Sequence, residues 1–481
     1  MAPGWSLVSV EHYKTYGLVG DAALYVFRVG GSSEVLATDR VAPASTSTPK
    51  QQVGRWKPVI GAVAVVATAL LSLRRTQGFG ATDTIWAEDG RQFFQGTVRH
   101  NFFDLLFTPY NGYLHFVPRV LIEIVRIFPL EWAAEVIATI GALVTSACAA
   151  LIYRASRRHL RSPALRIAVA VPVALPYVGQ LEDANNLAGL HLLLLYVAFW
   201  MAIWNPVHRR LQILAAVMLF CTVASDPLAA LFLPLVLLRW WTIRGWRGGL
   251  PVIAMGVGLA YQAVGVVFRG ALQSRHLAPP HYDPVWAFQQ YLQTVTGQGL
   301  FTDQENERFG LLVRDGNAHY VAWILAGAAL VVALLRVTQP NWPLVVVALV
   351  HSLLLFCGLA MQGGSAAPRY ELPAICLLLV AVAGLLTPRK DTAMVSPRLL
   401  PAYAVLGLVV LCVIGGYPRY SQWRGSGPSF SSQLAKASTA CNTTGVHDTV
   451  ISVAPAFASW EVTVPCDLVR ARDDFFQLSR R

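Results

Sequence analysis

From residue 57 to residue 416 the chain is a succession of apolar runs joined by polar connections, most of them short. This feature leaves it the fewest options. A run of about 20 apolar residues crosses a bilayer as a helix, and in lipid only helices and closed barrels satisfy every backbone N–H and C=O. The runs fall near 57–73, 132–153, 162–178, 186–204, 211–225, 227–242, 249–267, 319–336, 343–361, 372–387 and 399–416. Composition agrees, with 55% hydrophobic and 13% charged residues against about 25% charged in soluble domains. The expected fold is an all-α polytopic membrane protein with about 11 transmembrane helices. The weakest pair of runs is 211–225 and 227–242, split only by Asp226 and Pro227 and readable as one hairpin. The net charge of +12 then gives no reason to expect a nucleic-acid partner. In a membrane protein, excess Arg marks cytoplasmic loops.

Orientation follows from those loops. KQQVGRWK precedes the first run, and RASRRHLR (154–161), PVHRR (206–210), TIRGWRGG (242–249) and PRKDTAMVSPR (388–398) fall at alternate junctions. An N-terminus inside and a C-terminus outside puts all of them in the cytoplasm. The segment 113–129 must then not cross, so it is expected to be interfacial or re-entrant, which Arg119, Glu123 and Arg126 favour. Of the 26 acidic residues, four lie in the N-terminal tail and one, Asp391, in a cytoplasmic loop. The others fall on the exterior face, so any chemistry is expected there. Only five of the basic residues are Lys, and this heavy Arg usage suggests a GC-rich bacterial genome and hence a bacterial cytoplasmic membrane.

The flanks divide the chain further. Residues 1–56 read as a disordered cytosolic tail, with the linker VAPASTSTPKQQ at 41–52. Residues 417–481 read as a small exterior unit in which VISVAPAF (450–457) and SWEVTVPC (459–466) form short strands. Cys441 and Cys466 are the only cysteines outside apolar runs. An exterior location favours a bridge between them; two unrelated thiols is the competing view. No CxxC or HExxH spacing is present, so no dedicated zinc site is expected.

The first exterior loop, 74–131, opens with TDTIWAEDGRQFF and gathers Asp83, Glu88 and Asp89 beside the membrane. The Phe pairs that follow alternate with polar positions, as in short helices lying in the interface. A carboxylate held there can act as general base towards an acceptor hydroxyl. Against this, Asp89 also suits the cap of a helix starting at Gly90. GGSAAPRYELP supplies Arg369 and Tyr370 at the mouth of two runs. Arg there suits bidentate phosphate contact, or, with Tyr370, simple anchoring of a helix end. GQLEDANNLAGLH supplies Glu182, Asp183, Asn185, Asn186 and His191. With Asp226 these are candidates for a substrate groove, set against ordinary loop capping and, for His191, a packing role. Loop 268–318 has the position of a lid or acceptor-binding segment, without a motif.

A first span followed by a long exterior loop with an acidic motif and interfacial helices resembles the GT-C superfamily of polyprenyl-phosphate-sugar glycosyltransferases. The likeness covers 57–416 as architecture, and residue by residue only AEDG (87–90) and PRYELP (368–373). It implies a sugar transferred from a polyprenyl-phosphate donor to an envelope glycan, lipid or protein outside the cytoplasmic membrane. It also implies Asp89 as catalytic base with Glu88 the neighbouring candidate, and Arg369 with Tyr370 at the donor phosphate. A divalent cation stays open, since some members of the superfamily use one. The rival readings are a transporter or flippase for an envelope precursor, a structural envelope protein, and an exterior acyl or phosphoethanolamine transferase. The first would place ionisable groups at the bilayer midplane, and the last would need a nucleophile or metal cluster.

Overall fold

The computed structural model describes residues 5–13, 22–29, 52–175, 184–274, 279–295, 318–363, 368–389, 397–416, 423–443 and 445–471. Part of the tail expected to lack structure is a hairpin. Trp5–Tyr13 pairs antiparallel with Ala22–Val29, with a bulge between Leu7 and Ser9. WSLVSVEHY and AALYVFRV are rich in aromatic and β-branched residues, a strand composition that the polar average of the surrounding tail conceals. The linker lies outside the described residues except for Gln52, which opens a helix.

Nearly everything else is α-helical. Each apolar run coincides with a helix: Gln52–Arg74, Ala133–Ala155, Pro163–Ala174, Leu190–Ile203, Arg209–Ser225, Leu233–Thr242 with a 3-10 turn before it, Trp246–Phe268, Ala318–Leu334, Trp342–Gly363, Glu371–Leu385 and Leu400–Gly416. Among the described residues, three stretches, Leu130–Arg158, Trp246–Phe268 and Trp342–Gly363, are long and apolar enough to cross a membrane, while Val59–Arg74 and the remaining apolar stretches run 10–17 residues. Ile253, Val257, Val267 and Phe268 stand exposed on one of them, as do Val346, Leu349, Val350 and Leu354 on another. Contiguous exposed apolar faces of this kind suit hydrocarbon and not water. The 211–225 and 227–242 runs are two helices, because Asp226 takes an extended backbone (φ −152°) and Pro227 starts a new turn.

The segment 113–129 breaks into Phe116–Ile122 and a 3-10 turn, Glu123–Ile127. At about 1.5 Å per residue neither piece approaches the thickness of a bilayer. Arg126 pairs with Glu123 at 2.8 Å. Arg119 is fully buried, its guanidinium over the Phe93 ring.

The C-terminal unit is not a separate body. Phe430–Cys441, the paired strands Asp448–Ser452 and Glu461–Pro465, and Cys466–Ala471 share one hydrophobic core with the first loop: Phe430, Ile451 and Val462 bury with Ile85, Phe93 and Phe94. Ala454 N–H donates to Ile85 C=O at 2.9 Å, joining unit to loop through the backbone. Cys441 and Cys466 are disulfide-bonded, closing 25 residues of chain separation. Replacing both by Ala is expected to lower stability by about 2–4 kcal/mol through the freed unfolded chain. Thermal unfolding and protease protection of 430–471 check this; a variant as protected as wild type would show that packing alone holds the unit.

Candidate functional site

The first loop, the start of the Leu190–Ile203 helix, Asp226 and the Pro368–Tyr370 turn meet around one cavity of about 330 Å³. Five residues singled out in the sequence line it: Glu88, His191, Asp226, Arg369 and Tyr370. They come from four separate parts of the chain. Three aromatic groups from the YNGYLH turn, Tyr110, Tyr113 and His115, complete the polar wall. That turn is tight because Asn111 and Gly112 both take positive φ, 50° and 100°, and Tyr110 and Tyr113 exchange backbone hydrogen bonds across it. Asn-Gly is the residue pair such a turn needs.

Within the cavity, Asp226 and His191 form a pair. Asp226 is 2% exposed; its Oδ1 accepts the Leu228 N–H at 2.9 Å, and its Oδ2 lies 2.9 Å from His191 Nδ1. The Tyr113 hydroxyl reaches the same ring nitrogen at 3.5 Å. His115 stacks on Tyr113 with ring centroids 4.2 Å apart. Burial pushes the phenols of Tyr110 and Tyr113 up, and burial followed by His191 and Arg119 holds His115 well below the usual imidazole range. Next after burial, Glu88 raises Tyr110 and Asp226 raises Tyr113, while Arg369 lowers both. Glu88 and Arg369 thus act on Tyr110, Asp226 and Arg369 on Tyr113, and the cavity holds acidic and cationic groups together.

Asp89 does not line this cavity. It is 0% exposed, its carboxylate accepting the N–H groups of Leu187 (3.0 and 3.1 Å) and Ala188 (2.8 Å). It ties the first loop to the 187–189 turn behind the wall that Glu88 and Ala188 present to the cavity. Burial raises its carboxyl from an ordinary 3.8 to about 7, against the lowering by Arg424 and the two N–H groups. A folded pKa above the unfolded one means that the native protein keeps a proton that the unfolded chain has released. Stability from this group therefore falls as pH rises from about 4 to about 7 and is level beyond. Asp89→Asn is expected to flatten that part of a plot of unfolding temperature against pH; an unchanged slope would assign the pH dependence elsewhere.

The other candidates among the described residues are bonded within the fold. Asp83 accepts from Ser431 N–H (2.8 Å) and hydroxyl (3.2 Å), fastening the start of Phe430–Cys441. Asn186 Oδ1 caps Gly189 N–H at 2.7 Å. Asn185, at φ 58°, exchanges side-chain hydrogen bonds with Ser72, 2.7 Å to the hydroxyl and 2.9 Å to the carbonyl. Glu182 and Asp183 lie outside the described residues, as do 275–278 and 296–317 of the 268–318 loop. In its described part, Asp283 caps Pro284–Gln290 through Val285 and Trp286 N–H, and Leu272 reaches the cavity.

Sequence reasoning missed Arg424. It is 2% exposed and its guanidinium donates to Thr84 Oγ1 (3.1 Å), Thr84 C=O (2.6 Å), Ala81 C=O (3.0 Å) and Asn185 C=O. Burial lowers it to about 10, and Asp89 opposes that. Its partners are mostly carbonyls, which any residue carries, so no sequence signal points to it. Among the described residues no group of three or more His, Cys, Asp or Glu is gathered as a metal site. No protein-family model matches the chain, and neither does any curated protein or solved structure.

Proposed function

We propose that the chain is an integral membrane glycosyltransferase of GT-C-like architecture, with about 11 spans, the N-terminus in the cytoplasm and the C-terminus outside. Its donor would be a polyprenyl-phosphate sugar and its acceptor an extracytoplasmic glycan, lipid or protein. The observation that carries this reading is the shared cavity of Glu88 and Arg369, walled by aromatic groups of which Tyr110 feels both charges. Aromatic faces with carboxylates suit a sugar, and a guanidinium suits the phosphate it leaves.

Glu88 replaces Asp89 as the base in this reading, because only Glu88 reaches the cavity. It takes the acceptor hydroxyl's proton as the acceptor oxygen bonds to the anomeric carbon. The bond from that carbon to the phosphate oxygen breaks, and its electron pair leaves with polyprenyl phosphate. Arg369 neutralises the charge that develops there. Asp89 and Arg424 hold the loop that aims Glu88. Acids gathered in one cavity beside the first loop favour this over a transporter, which would carry ionisable groups along the middle of its helices.

Purified protein in nanodiscs, offered a panel of polyprenyl-phosphate sugars with envelope glycan and lipid acceptors, is expected to release free polyprenyl phosphate with one of them, read by mass spectrometry. Saturable movement of the intact sugar-lipid across the bilayer without release would make the protein a flippase.

A further inference from the structure

We infer that the His191–Asp226 pair is the acid that protonates the departing phosphate, a second catalytic group beside Glu88; this rests on the glycosyltransferase reading above. The geometry assigns the two ring nitrogens different tasks. Nδ1 is engaged by Asp226 Oδ2 at 2.9 Å, and Asp226 is itself fixed by Leu228 N–H. Nε2 has no hydrogen bond among the described residues, and the ring lines the cavity. A histidine held at Nδ1 by a buried carboxylate presents Nε2 in one orientation, with a counter-charge in place for the imidazolium. A packing histidine needs neither the buried carboxylate nor the open nitrogen.

The reaction then balances within the cavity. The acceptor's proton passes to Glu88 while the anomeric carbon exchanges its phosphate oxygen for the acceptor oxygen. Nε2 of the imidazolium gives its proton to the leaving phosphate, which departs singly protonated. Water carries the proton from Glu88 to Nε2 and restores both groups. The net result is one proton moved from acceptor to polyprenyl phosphate. Other groups facing His191 are Tyr113 and His115 from the turn, and around the same cavity Glu88, Tyr110, Arg369 and Tyr370. None of these changes in the variants below.

The test is binding of a short-chain polyprenyl phosphate to the full chain in nanodiscs over about pH 5–8, without turnover. Wild type is expected to lose affinity with rising pH more steeply than His191→Gln, by up to about tenfold per pH unit, the limit for one proton linked to binding. Gln keeps a donor for Asp226, so the fold is spared. Asp226→Asn removes the counter-charge for the imidazolium and is expected to flatten the pH curve towards that of His191→Gln; a structural role would weaken binding equally at every pH. Parallel pH curves for wild type and His191→Gln would overturn the acid role and leave the lipid-phosphate site standing. No saturable binding to wild type at any pH would overturn both.

Discussion

Arg424→Leu is expected to cost about 3–5 kcal/mol of stability, the range for removing one member of a buried charged network. The guanidinium is 2% exposed and holds Ala81, Thr84 and Asn185 together. Leucine fills much of the volume and replaces none of those bonds. Three backbone carbonyls are left buried without a donor, each at about 1–3 kcal/mol before relaxation. Asp89 also loses the cation that opposes its burial, so its carboxyl moves further above its value of about 7. Arg424→Lys restores the charge without the planar fork and is expected to recover less than half of the loss. Adding Asp89→Asn to Arg424→Leu removes a group whose interaction with Arg424 is already lost, so the double variant should be more stable than the sum of the singles. Thermal unfolding in one detergent measures all five proteins, wild type and the single Asp89→Asn included. A single variant within about 1 kcal/mol of wild type would mean that the first loop and the C-terminal unit are held by their apolar core alone, since surface-like changes stay near that limit.

How much of this was readable beforehand depends on what each feature rests on. The helices were readable because span length and apolarity are properties of consecutive residues, and each run is helical. The cysteine pair was readable because Cys441 and Cys466 are the two thiols outside apolar runs. The N-terminal hairpin was missed by weighing the average polarity of the whole tail over the aromatic and β-branched residues of its two strands. At AEDG the sequence identifies two adjacent acids but not which one faces the cavity. Successive residues on a helical turn point about 100° apart, and the packing of 187–189 against Asp89 decides between them. His191 and Asp226, 35 residues apart, were separate candidates whose meeting depends on two helix ends converging. Asp83 and Asn186 looked like groove residues because a capping carboxylate or amide and a substrate-binding one have the same chemistry; only the partner distinguishes them.

That division between adjacent acids gives the second large effect. Glu88→Gln is expected to lower the rate of polyprenyl-phosphate release by about 10²–10⁴-fold, the usual contribution of a positioned general base, with the unfolding temperature unchanged. The side chain is half-buried and lines the cavity, so the amide fits the same space and only the proton acceptor is lost. Glu88→Asp keeps the acceptor but withdraws it by one methylene, and an intermediate rate is expected from the misplaced base. Asp89→Asn should behave in the opposite way. Its carboxylate accepts two backbone N–H groups that an amide oxygen can still accept, but the amide nitrogen has no acceptor role there and the partner charge of Arg424 is lost. Stability should change first, and the rate per folded molecule should stay within about tenfold, as for a group outside the reacting centre. Measuring rate and unfolding temperature on the same preparations separates the two acids. A large loss of rate in Asp89→Asn at unchanged stability, with Glu88→Gln active, would return the base role to Asp89 and require the 187–189 turn to open during the reaction.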